Sequence, residues 1–284
     1  MSEKNTPNMP NPELEHTLDP LAAQRRADEA KAQWKYLKRV ARREKKMYKH
    51  GMRVGAIKEG PYPWKKVRLD VHGRPKPAMR GWIHAGTAPL ALAGGIVAIS
   101  LAHGPAMKWA CAVYMICSLI LFANSAVYHI GDWNEKVTDI LRRIDHVNIF
   151  LLIVGTFTPI SFALPASVRH IALTALWVAT AAAIILHVIF INAPRWLYTL
   201  VYVIFGVSGG LFIPALWVAP AAGPVVVWLI VSGGLTYILG AVVYGKRWPD
   251  PWPRVYGFHE IFHTCTTLAY ACHMVAIFFV LLRL

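Results

Sequence analysis

The sequence predicts an all-α integral membrane protein, a bundle of seven transmembrane helices behind a basic N-terminal tail. Three observations carry the prediction. Apolar residues make up 56% of the 284 residues and charged ones only 16%. The charge is segregated, with 20 Lys/Arg against 9 Asp/Glu in residues 1–81 and 10 against 6 in residues 82–284. Seven apolar runs of about 20 residues follow the tail, each long enough to cross a hydrocarbon core of about 30 Å. The chain thus divides into a polar tail, 1–81, and a membrane domain, 82–284, whose helices can enclose a polar site.

The tail opens with Pro7, Pro10 and Pro12 and no apolar core. It has no signal-peptide pattern, so the first spanning helix is expected to direct insertion. Residues 19–49 are rich in Ala, Lys, Arg, Gln and Glu and nearly free of Gly and Pro, which reads as a charged helix. A basic segment before a first span marks the cytoplasmic side and touches anionic lipid head groups; this reading is preferred to a calmodulin target or a nucleic-acid contact. Gly60-Pro61-Tyr62-Pro63-Trp64 and Arg74-Pro75-Lys76-Pro77 then break the helix and lead to the bilayer.

The seven runs fall near 82–101, 109–129, 144–162, 171–189, 196–217, 225–244 and 258–284. Gly209-Gly210 in the fifth and Gly233-Gly234 in the sixth are small residues that allow helices to approach closely. With the tail inside, the inner loops hold Lys136, Arg142, Arg143, Arg195, Lys246, Arg247 and Arg254, against Lys108, Arg169 and Arg283 outside. Loops and tail agree on a cytoplasmic N-terminus and an external C-terminus.

Those directions bring polar residues to one depth. The second run carries Ser125 and His129 at its cytoplasmic end, with the i,i+4 spacing that shares a helix face. Asp145 is expected in the first turn of the third helix. The seventh run opens His259-Glu260-Ile261-Phe262-His263, and its two histidines also share a face. Ionisable residues within spans are costly and mark functional sites by default.

Three neutral imidazoles with one open position match a catalytic zinc site, so His129, His259 and His263 are the expected ligands of Zn2+. Asp145 either orients a ligand histidine or accepts a proton from water. Ser125 either hydrogen-bonds the reacting groups as an oxyanion donor or bonds back to the carbonyl one turn earlier, as membrane-helix hydroxyls commonly do. Cys111, Cys117, Cys265 and Cys272 are single residues inside apolar runs and read as small buried hydrophobes.

The remaining histidines receive plainer readings. His84, at the cytoplasmic end of the first helix, is expected at the interface with its amphipathic tip in the head-group layer, in preference to a place behind the metal ligands. His146 cannot face the same way as its neighbour Asp145. His273 lies ten residues beyond His263, about 15 Å along the helix, too far to ligate but able to meet a buried lipid head group. His187 has no partner legible in the sequence. Glu260 points about 100 degrees from His259 and is left out of the site.

The residues that carry a resemblance are now in place. Ser125-x-x-x-His129, Asp145-His146-Val147-Asn148-Ile149-Phe150 followed by Gly155-Thr156-Phe157-Thr158-Pro159, and Gly257-Phe258-His259-Glu260-Ile261-Phe262-His263 occur in order on successive helices. Together they resemble the progestin and adipoQ receptor family, most closely its bacterial hemolysin III branch, over roughly residues 75–284. The resemblance implies a seven-helix fold with a cytoplasmic N-terminus in a bacterial plasma membrane. It also implies zinc on His129, His259 and His263 with Ser125 and Asp145 beside it, and kinship with membrane-embedded ceramidases. The first-helix pattern, an acidic residue and an Asn before Thr-His, is only partly kept in Met79-Arg80-Gly81-Trp82-Ile83-His84.

Three functions follow as expectations. The first is zinc-dependent hydrolysis of a lipid amide, with a membrane lipid as substrate and a part in lipid homeostasis. The second is a receptor in which zinc only ties helices together. The third is an intramembrane metalloprotease with Glu260 as base, since H-E-x-x-H is also the zinc-protease pattern. No amphipathic charged stripe runs through a full span, so a pore is not expected.

Overall fold

The computed structural model describes residues 75–190, 195–252 and 255–284, the pair 68–69, and the isolated positions 24, 28 and 31. Apart from those three positions, the helix expected over 19–49 lies outside the described residues. The chain divides into two compact units, Met1–Lys65 and Lys66–Leu284. The second unit carries the fold.

It begins with a small antiparallel hairpin, β1 (Arg68–Leu69) and β2 (Pro75–Lys76), that pairs Arg68 with Lys76. Helices follow in the order α1 (Trp82–Leu101), α2 (Gly104–Ile130), α3 (Glu135–Ile160), α4 (Ala166–Ile189) and α5 (Arg195–Ser208). After these come α6 (Ile213–Val218), α7 (Gly223–Lys246) and α8 (Phe258–Leu281). A 3₁₀ turn, Gly209–Phe212, joins α5 to α6, and the two form one span, Thr199–Val218. Seven helices among the described residues are long and apolar enough to cross a membrane. The chain is therefore a seven-helix, all-α, multi-pass membrane protein.

The bundle places α2 between α1 and α3 and packs α8 along both α7 and α1. Tyr114, Phe122, Phe150 and Ile277 fill its interior, while Leu90, Ile171 and Leu211 stand on its outside. An apolar exterior around a close-packed interior is what lipid requires of a helix bundle. Cys111, Cys117 and Cys265 are buried as expected, Cys272 is half-buried, and all four are free thiols.

Local structure departs from the sequence reading at two helices. Helix α3 starts nine residues before the expected 144, because the Asn134 side chain accepts from Val137 N at 2.9 Å and caps a polar extension. Asp139 and Arg142, paired at 3.0 Å, lie on that extension. A hydropathy pattern sees only the apolar part of such a helix. Asp145 therefore lies about three turns inside α3, not in its first turn.

The second departure concerns the glycine pairs. A Cβ on Gly209 or Gly210 would meet only ordinary contacts at 3.7 Å, so this pair breaks the span into a 3₁₀ turn and does not mediate close packing. Gly233 does sit where a Cβ would collide with the His273 ring, whereas Gly234 faces open space.

Candidate metal centre

Helices α2 and α8 bring the three predicted histidines together. His129 lies in the last turn of α2, while His259 and His263 lie one turn apart at the start of α8. The three ligand atoms fall within 4.8 Å of one another. His129 Nε2 faces His259 Nε2 at 3.2 Å.

That separation suits a shared ion. Nitrogens about 2.1 Å from a tetrahedral metal stand about 3.4 Å apart, so the first pair is already at ligand spacing. The third nitrogen needs at most an approach of about 1.4 Å, within reach of small rotamer changes. His263 is buried, and its Nδ1 has no hydrogen-bond partner, an unfavourable state unless a ligand satisfies it. The donor set and its spacing fit a metal ion.

Asp145 reaches the cluster from α3, with Oδ2 3.7 Å from His129 Nε2. This is the nitrogen that faces His259, so the carboxylate stands on the side where an ion would sit. Of the two roles open in the sequence, orienting the far nitrogen of a ligand or taking a proton beside the metal, this position suits the second. Ser125 is buried one turn before His129 on the same face of α2. Rings of Tyr128 and Tyr244 flank His129 and His259 at 4.4 and 5.6 Å between centroids.

One feature near the site differs from the sequence reading, and a second goes beyond it. His84 is not at the interface: it is 2% exposed and stacks on His263, with ring centroids 3.8 Å apart and planes 10° from parallel. Both of its ring nitrogens are buried without a hydrogen-bond partner. It opens the first span at the depth of the other three histidines. The depth criterion that selected those three therefore selects His84 as well.

Glu260 is the other feature. Its Oε2 accepts from Gly257 N at 2.8 Å, closing a capping box at the start of α8, and its Oε1 pairs with Arg80 Nε. Glu260 is fully buried. With both oxygens so engaged it anchors the helix that presents His259 and His263. Lys76 adds a nearby tie, donating to Gly131 O at 2.8 Å just beyond the end of α2.

Backbone geometry locks the same corner. Gly81, the residue before α1, has φ 85°, and a Cβ there would stand 2.9 Å from His129 Cβ. Only glycine combines that left-handed conformation with so close an approach. Elsewhere, His187 is buried against His146, Phe150 and Tyr202, which supplies the surroundings the sequence did not reveal. His273 finds the Ile230 carbonyl at 3.2 Å.

Comparison with known proteins shows the family. The model of the haemolysin-III related family matches residues 72–274. The chain is also similar to a hemolysin-3 homolog of Bacillus subtilis (strain 168), 26% identical over 153 residues, covering 54% of this chain and 68% of that one.

Proposed function

This chain belongs to the haemolysin-III related family, and from the geometry of its site we propose that it is a zinc-dependent hydrolase acting on the amide bond of a membrane lipid. The observation that carries the reading is the carboxylate of Asp145 beside the ligand nitrogen of His129. A purely structural tie between helices has no need of a basic group at that position. The substrate class follows from the kinship with membrane-embedded ceramidases that the family resemblance implies.

Zinc at such a site would supply Lewis acidity, which polarises a carbonyl and makes water acidic near neutral pH. His129, His259 and His263 supply the lone pairs from two helices. Asp145 holds the proton taken from water and passes it to the leaving amine. Ser125 steadies the oxygen of the scissile carbonyl by donating its hydroxyl proton. His84 stacks on His263 and fixes the plane of that ring.

The intramembrane protease reading loses its base, because both Glu260 oxygens are occupied by Gly257 and Arg80. We place the site at the cytoplasmic face of a bacterial plasma membrane, following the loop charges, with the basic tail on anionic head groups and the activity serving lipid homeostasis. The test is fatty-acid release from long-chain N-acyl lipids by reconstituted full-length protein. Release by the zinc-loaded protein and not by the zinc-stripped one supports the reading. Equal rates above background contradict the zinc dependence, and no release above background leaves the metal as a helix tie in a non-catalytic receptor.

A further inference from the structure

A second polar cluster lies deeper in the bundle, separated from the metal centre by Phe122. The ring of Phe122 contacts His84 on one side and Tyr270 on the other, at 5.1 and 4.9 Å between centroids. Tyr270 in turn stacks on Tyr114 at 5.5 Å, and Tyr237 meets His273 at 5.6 Å. The Tyr237 hydroxyl is within electrostatic reach of both Tyr114 and Tyr270, so α2, α7 and α8 line one shared interior. Tyr114 is 0% exposed and Tyr270 5%.

Four polar atoms there are buried without a well-formed hydrogen bond: the Tyr237 hydroxyl and, on α8, His273 Nδ1, together with the hydroxyls of Tyr114 and Tyr270, which lie near each other and near the Ser118 hydroxyl. Buried tyrosine hydroxyls usually find a partner, because leaving one unmade costs more than a made bond returns. Tyr237 and His273 Nδ1, unpaired beside two poorly satisfied phenols, mark the place of a partner. The placement is built in: His273 Nε2 lies 3.2 Å from the Ile230 carbonyl, which puts the proton on Nε2 and leaves Nδ1 as an acceptor. Gly233 makes room for that ring, since any Cβ at 233 would overlap it.

We propose that Tyr114, Tyr237, Tyr270 and His273 form a second binding site that takes a neutral ligand through its hydroxyl group. The ligand must donate to His273 Nδ1 and accept from the phenols, and a hydroxyl does both. It must be neutral, because α2 beyond Lys108, α7 before Lys246 and α8 beyond Glu260 contain no Asp, Glu, Lys or Arg to balance a charge. Two sources offer that chemistry, water and the hydroxyl of a lipid. The inference stands whether or not the metal centre is catalytic.

The sign of a stability change tests it. Tyr114→Phe, Tyr237→Phe and Tyr270→Phe keep each ring and remove only the hydroxyl. If a hydroxyl ligand is bound, each variant unfolds about 3 °C or more below the wild type, and Tyr114→Phe/Tyr270→Phe falls further than either single variant. If the site is empty, each substitution removes an orphan and raises the unfolding temperature, which overturns the proposal. If Tyr114 and Tyr270 bond only each other and Ser118, Tyr237→Phe is no less stable than the wild type, and that also overturns it. Measurements on full-length protein in an amine-oxide detergent, delipidated and then given phosphatidylcholine alone or with diacylglycerol, separate the sources. A loss already present without diacylglycerol assigns water; one that appears only with it assigns a lipid hydroxyl.

Discussion

Asp145 approaches His129 at Nε2, the atom that also faces His259, and does so at 3.7 Å. A carboxylate that merely oriented the imidazole would stand at the opposite nitrogen, as in the carboxylate–histidine–metal arrangements of many zinc sites. Here the acid and the second histidine share one side of the ring. Under the proposed function that placement suits Asp145 to a chemical role distinct from ligation, and it makes the residue separable by substitution.

Asp145→Asn keeps the shape and removes the basicity. Zinc content and unfolding temperature should stay near wild type, while fatty-acid release from N-acyl lipids falls by about two to four orders of magnitude, the range for loss of a positioned general base. Unchanged release with full zinc would remove Asp145 from the chemistry.

Glu260 is expected to behave as an anchor. Glu260→Ala leaves Arg80 without its partner and opens the capping box, so stability should drop by about 3 kcal/mol, the scale for breaking a buried ion pair. Glu260→Gln retains an oxygen for Gly257 N–H and should keep release within about tenfold of wild type, since a lost general base costs at least about a hundredfold. A folded, zinc-loaded Glu260→Gln protein without activity would restore the protease-like role for this residue.

Gly81→Ala should disturb the metal centre without touching a ligand. The added methyl meets His129 Cβ at 2.9 Å on a backbone with φ 85°. A destabilisation of about 2 kcal/mol is expected from such strain, together with weaker zinc retention on dialysis against a chelator. Wild-type retention would mean that α2 yields at this point without moving His129.

From the loop charges we expect Met1 inside and Leu284 outside. A reporter active only in the cytoplasm should work when fused to the tail and fail when fused after Leu284. The opposite pattern would put the metal centre at the external face.

Much of this molecule was legible in the sequence because lipid imposes a simple rule: apolar runs of about 20 residues must be helices. The parts that escaped obey other rules. Five of the first nine residues of α3 are charged, and Asn134 caps them, so hydropathy could not place the helix start. Gly209-Gly210 carries the same composition as Gly233-Gly234, yet only Gly233 lies so close to a neighbouring ring that a Cβ would overlap it; which glycine is pressed against a partner depends on helix rotation. His129, His259 and His263 were found by spacing and depth, which follow from helix geometry. His84 shared their depth but was judged by the habits of interfacial histidines. The Arg80–Glu260 pair joins residues 180 apart in the chain, and no local pattern announces such a contact.

The most direct measurement is the metal content of full-length protein purified without chelator and without a histidine tag. The account predicts one zinc per chain, reduced to near zero by His259→Ala combined with His263→Ala, and a lower unfolding temperature for each single histidine variant because a metal bound only by the folded bundle adds to its stability. Zinc content unchanged by the double substitution would contradict it.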